Sequence, residues 1–148
     1  MNNSMRLVLG IAAVAAVGVM SCGKTVTMPG GTSTTSALQP VGEARAAKGE
    51  LKIKEGDNGN TALSVNVKYL APPEKIAPNA TTYVVWAKPR TGDMRPQNLG
   101  ALRVNDDREG SLETVTPLKN FEVIVTPEPS TTVSAPTHSP VFNGIVQR

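Results

Sequence analysis

The chain has 148 residues, with 15 basic and 12 acidic side chains, one histidine, one cysteine and 3% aromatic residues. This composition excludes a disulfide scaffold. It also argues against nucleic-acid binding, which calls for a basic stripe, often with stacking rings. One histidine and one cysteine leave too few ligands for a transition-metal site, and no cofactor is expected.

Met1 to Arg6 is polar with a single cation, Arg6, and Leu7 to Met20 is an apolar run. A charged n-region, a short h-region and small residues before a cut make a secretory signal peptide. About 14 apolar residues are too few to remain as a helix across a hydrocarbon core roughly 30 Å thick. The run ends Val19-Met20-Ser21-Cys22, and Cys22 is the sole cysteine. This ending resembles the bacterial lipoprotein signal, although Met20 stands where that family usually has a smaller residue. The resemblance implies cleavage before Cys22, a diacylglycerol on its thiol and a further acyl chain, such as palmitate, on the new N-terminus. Two or more chains hold a protein stably at a membrane where one holds it marginally. Gly23 after the cysteine, by resemblance to enterobacterial lipoproteins, favours the outer membrane. The expected location is thus extracytoplasmic, membrane-anchored by lipid, on the periplasmic face of either membrane or at the cell surface. Without Arg6, 14 basic side chains face 12 acidic ones, a net of +2.

Residues 22–43 are rich in Gly, Ser, Thr and Pro and show no helical or strand period. They read as the lipidated cysteine followed by a disordered linker, with an extra strand near Lys24 to Met28 as the other reading. A flexible linker of this size spans about 25 Å root-mean-square.

The folded domain is placed at 44–148. Leu51 and Ile53 alternate with Lys52 and Lys54, and Leu63, Val65, Val67 and Tyr69 with Ser64, Asn66 and Lys68. Such alternation predicts half-buried strands. The turn residues Asp57-Asn58-Gly59-Asn60 join them as a hairpin rather than a calcium loop, since the remaining acidic ligands are missing. Ala71 to Ala80 is a crossing loop with three prolines. Tyr83-Val84-Val85-Trp86-Ala87 is apolar on both faces and predicts a central strand covered on both sides. Leu99 to Val104, Leu112 to Thr116, Phe121 to Thr126 and Val141 to Val146 complete the set. Asp106, Asp107 and Glu109 fall in a turn, and the loop Pro127 to Pro140 holds four prolines. About seven short strands separated by turns predict an all-β, antiparallel, immunoglobulin-like sandwich, with a small closed barrel as the alternative.

Tyr83 to Ala87, then Gly92, Leu99-Gly100 and Leu112, lead to Phe121-Glu122-Val123-Ile124-Val125-Thr126-Pro127-Glu128-Pro129 and on to Pro136-Thr137, Ser139-Pro140, Val141 and Gly144. This order resembles the extracytoplasmic domain of anti-sigma-K factors, from about Ala44 to Arg148. The family's cytoplasmic helical part and spanning helix have no counterpart here, and Ser130-Thr131-Thr132 replaces its usual glycines. No sigma-factor contact is therefore expected. The resemblance implies a sensory or protein-interaction module without chemistry of its own.

His138 beside Ser139 lies in a Pro-rich loop and lacks an orienting third group, so a catalytic pair is not expected. Glu122 and Glu128 read as surface charges. Trp86, with Tyr83 near it, reads as core packing or as an aromatic anchor for a partner. The sequence thus predicts a lipid-anchored, non-enzymatic envelope protein that binds or senses another envelope protein. A structural envelope role or a small-ligand carrier is the alternative.

Overall fold

The structure is a computed structural model and describes residues 33–148. The leader, Cys22 and the Lys24 to Met28 segment lie outside the described residues. Among the described residues no helix is long and apolar enough to cross a membrane.

Among the described residues eight antiparallel strands close into one barrel, in the order β1-β2-β3-β6-β5-β4-β7-β8. They are β1 (Thr34–Pro40), β2 (Lys48–Glu55), β3 (Thr61–Lys68), β4 (Thr82–Pro89), β5 (Gln97–Val104), β6 (Gly110–Thr116), β7 (Asn120–Glu128) and β8 (Phe142–Gln147). The crossing loop between β3 and β4 contains one helical turn, α1 (Pro73–Ile76).

The closed barrel corrects the expected seven-strand sandwich. Seven of the strands fall where alternation placed them, and the eighth, β1, lies inside the segment read as linker. Its sequence, Thr-Thr-Ser-Ala-Leu-Gln-Pro, has one large apolar residue and therefore no visible period. Pairing on both sides supplies what composition does not. β1 runs against β2 from Thr34↔Ile53 to Leu38↔Gly49, and against β8 at Gln39↔Asn143 and Pro40↔Phe142. Leu38 fills a hole left by two glycines. A Cβ on Gly49 would come within 2.6 Å of Leu38 Cβ, and one on Gly144 within 2.7 Å of Leu38 Cδ2. Real Cβ atoms do not approach so closely, so the seam requires glycine at 49, where the neighbour is a Cβ, whereas a side chain at 144 would displace the end of Leu38.

The second closure is at β5. Val85 pairs with Gly100 but Trp86 pairs with Asn98, so Leu99 is an extra residue in a bulge. Gly100 carries the φ of +132° that this bend needs. Bent there, β5 leaves β4 and joins β6 at Arg103↔Ser111 and Val104↔Gly110. The β1–β8 and β5–β6 seams pair over only two residues each. Without them the molecule would be two stacked sheets, so the difference between sandwich and barrel rests on these corners.

Alternate residues fill the barrel. Leu51, Ile53, Leu63, Val65, Val67, Tyr83, Val85, Leu102, Phe121, Val123, Val125, Phe142 and Val146 form one buried cluster. Burying such side chains stabilises by roughly 1.5–3 kcal/mol each and is the main force holding the strands in register.

Candidate functional site

Two outer faces of the barrel differ from ordinary solvated sheet. The first belongs to β4 and β7. Because Tyr83, Val85 and Ala87 point inward, Val84 and Trp86 must point outward. They are nevertheless fully buried. The residues paired with them across the strands are Thr126 and Ile124. Val84, Trp86 and Ile124 form a second apolar cluster, and Val133 packs against it from outside. Val133 belongs to residues 129–140, which cross this face as a strap between β7 and β8.

Polar groups fasten the strap at both sides. From β5, the Asn98 side-chain amide donates to the carbonyls of Thr131 and Val133, at 3.1 and 3.0 Å. The Asn98 Oδ1 accepts from the Gly100 N–H at 2.9 Å, which ties the clasp to the bulge. From β4's start, the Thr81 hydroxyl donates to the Pro129 carbonyl at 3.0 Å. From β7, Glu128 organises a buried chain. Trp86 Nε1–H donates to Thr126 Oγ1 at 2.8 Å, and that hydroxyl donates to Glu128 Oε1 at 2.6 Å. The Thr137 N–H also donates to Oε1, at 2.9 Å, and the Thr137 hydroxyl donates to Oε2. His138 Nδ1 sits 2.9 Å from that hydroxyl and 4.0 Å from Glu128 Oε2.

Glu128 is fully buried. The expected surface charge is thus corrected. Position parity explains it: Ile124, Thr126 and Glu128 share the outward row of β7, and the strap covers that row. A buried carboxyl is tolerated only when its oxygens are hydrogen-bonded, and both are. His138 is partly covered, with its ring turned toward this network. Ser139 is exposed and has no side-chain hydrogen bond among the described residues.

Trp86 and Tyr83, the candidate interaction residues, lie on opposite sides of one strand. Tyr83 points into the barrel, and its hydroxyl donates to the Ala71 carbonyl at 2.7 Å. Burial, followed by the negative charge of Glu74, pushes its phenol above the ordinary value. Both rings are fully buried, and neither is offered to a partner in this structure.

The second distinctive face belongs to β2, β3 and β6, and among the described residues no segment covers it. The cross-strand rows Lys52↔Ser64↔Glu113 and Lys54↔Ala62↔Val115 point outward. Small residues in the middle strand and longer ones at the sides make a shallow groove of about 530 Å³. Lys52 pairs with Glu50 at 3.1 Å, and Val115 is 56% exposed. Sequence reasoning named no residue of this groove as a site. Its signal was present in the phase of alternation, since Ala62 and Ser64 are the small outward residues of β3.

The groove offers ammonium groups, a carboxylate and apolar contact, which suits binding. Its Ser64 hydroxyl, between Lys52 and Glu113, accepts from the Asn66 side-chain amide at 3.4 Å. Among the described residues no three His, Cys, Asp or Glu side chains converge as metal ligands would. The turn Asp57–Gly59 is a tight hairpin connection, with Asn58 and Gly59 at φ of +59° and +74°. No protein-family model matches the chain, and no curated protein sequence does either.

Proposed function

We propose that the protein is an exported envelope lipoprotein whose barrel binds or senses another envelope protein and carries no enzymatic activity. The observation that carries this reading is Cys22, the sole cysteine, directly after a short apolar run and a charged start. An unpaired thiol in an exported chain needs a use, and lipid attachment supplies one. The resemblance of residues 44–148 to the extracytoplasmic domain of anti-sigma-K factors supports a protein-contact role separated from any sigma-binding part. The filled barrel interior favours surface binding over carriage of a small ligand. The groove on β2, β3 and β6, open among the described residues, is the contact surface of this reading, with Lys52, Lys54 and Val115 at its rim.

The test combines anchoring and capture in cells. Wild type and Cys22→Ala, each with a photo-crosslinking residue at position 115, are labelled with an alkynyl fatty acid and fractionated. The expected result is a labelled, membrane-bound wild type that crosslinks one envelope protein, with label and crosslink both lost in the variant. Membrane-bound wild type without any crosslink would replace the binding role by a structural one. Unchanged labelling and membrane association of Cys22→Ala would overturn the anchor.

A further inference from the structure

The two ends of the barrel differ, and the difference bears on how the domain would sit at a membrane. β1 enters the barrel at Thr34. Because every pairing is antiparallel, that same end carries the β2–β3 hairpin, the β4–β5 loop, the β6–β7 turn and the end of β8. The β4–β5 loop and the β6–β7 turn are adjacent, since the Arg90 N–H reaches the Asn120 carbonyl at 3.5 Å. Together they expose Arg90, Arg95 and Lys119, with Asp93 as the one carboxylate in these two connections and Met94 59% exposed between the cations. Among the described residues none of these three cations is ion-paired, whereas Arg148 at the same end is held by Glu55 at 3.2 Å. Lys88 is opposite Glu122 across β4 and β7 and adds no net charge, and the β2–β3 hairpin brings one further carboxylate, Asp57, to this end beside Lys54.

The opposite end has another balance. In the β5–β6 turn Lys68 holds Glu109 at 3.3 Å, Asp106 and Asp107 face Arg108 and nearby Lys48, and Glu43 and Glu74 offset Arg45 and Lys75 in the neighbouring connections, so this end is close to neutral.

We propose that the Arg90, Met94, Arg95 and Lys119 surface docks on anionic phospholipid headgroups and orients the barrel with its β1 entry toward the membrane. This rests on the lipid anchor at Cys22 proposed above. Eleven residues separate Cys22 from Thr34, which limits their separation to about 40 Å. Strands of eight residues are ~25 Å long, so that reach alone would leave the barrel free to lie sideways or inverted. Orientation therefore falls to surface chemistry. Anchoring already confines the domain near the lipid, so weak contacts suffice to choose a face. The net of two unpaired cations should favour the docked orientation on the order of tenfold on an anionic surface at low salt. Met94, unbranched and polarizable, is suited to enter the headgroup boundary between them. In this orientation the β5–β6 turn and the part of the strap fastened to Glu128 through Thr137 lie at the end away from the membrane.

The test uses the lipid-bearing protein from membranes, placed in nanodiscs with a gadolinium-chelate headgroup lipid. Paramagnetic broadening of backbone amides is compared between residues 91–95 and 119 and residues 134–139. In discs containing phosphatidylglycerol the first set should broaden several-fold more. The bias should collapse in phosphatidylcholine discs, at high salt, and in the Arg90→Glu/Arg95→Glu/Lys119→Glu variant. Equal broadening of the two sets, or a bias unchanged by lipid charge, salt and charge reversal, would overturn the docking face. Intact mass reads the anchor separately. If Cys22 carries no lipid, the anchor reading fails, and coupling the Cys22 thiol of the full chain to a maleimide-headgroup lipid puts the same docking comparison to the test.

Discussion

The outer face of β4 and β7 and the outer face of β2, β3 and β6 come from the same two-residue alternation. On the second face alternate positions hold Lys52, Ser64 and Glu113, and no other described segment lies over them. On the first the equivalent positions hold Val84, Trp86, Ile124, Thr126 and Glu128, and the strap covers them. The barrel thus spends one face on a second small core and leaves another free. The lesson concerns aromatic residues in strands. Trp86 is exterior to the barrel yet interior to the protein, so its burial says nothing about which way the strand faces. The contrast also bears on roles: the strapped face contributes stability, and the open face is the one proposed for contact.

Substitutions should break the strapped face and spare the open one. Trp86→Ala removes the largest buried side chain and Thr126's donor, and should cost about 3–5 kcal/mol in urea unfolding. Glu128→Ala leaves the Thr126 hydroxyl and both Thr137 donors without their acceptor and should cost about 3 kcal/mol. It should also make residues 129–140 the first site of limited proteolysis, whereas Glu128→Gln keeps acceptor and shape and should recover most of the loss. If Glu128→Ala leaves stability and cleavage unchanged, the carboxyl does not hold the strap.

The barrel interior supplies a pH test that neither face shares. The Tyr83 phenol is raised in the folded protein, so between the unfolded value of about 10 and the folded one the native state holds a proton that the unfolded chain has lost. Stability from this group is full below pH 10 and falls as pH rises through the folded value. Tyr83→Phe should cost about 1 kcal/mol at neutral pH through the unpaired Ala71 carbonyl. It should also flatten the alkaline limb of a stability profile above about pH 10, the phenol's ordinary value. An unchanged limb would assign the alkaline loss to other groups. The smallest effect is expected on the open face, where Val115→Ser should change stability by less than about 0.5 kcal/mol and should still abolish any partner crosslink made from neighbouring Ser64.

Much of the architecture was legible one strand at a time. Leu51/Ile53, Leu63 to Tyr69 and Phe121 to Val125 announce themselves because water and core alternate along them. The doubly apolar run Tyr83 to Ala87 correctly demanded cover on both sides, but nothing local named the strap as one of the covers. β1 was illegible because one leucine among threonines, serine and proline carries no period. Glu128 was misplaced as a surface charge because a carboxylate is usually solvated, and its partners Thr126 and Thr137 come from a strand and a loop that only folding brings together.

Residue chemistry and spacing alone therefore determined the β class, seven of the eight described strands and the hairpin at Asp57 to Asn60, while the expectation of an anchor at Cys22 came from resemblance to the bacterial lipoprotein signal. Closure belonged to the tertiary structure. Whether two sheets stay separate or join depends on Leu38 entering the space left by Gly49 and Gly144, and on β5 bending at Gly100 to reach β6. Those contacts link residues far apart in the chain, and a pattern read along one strand holds no information about which distant edge will complete it.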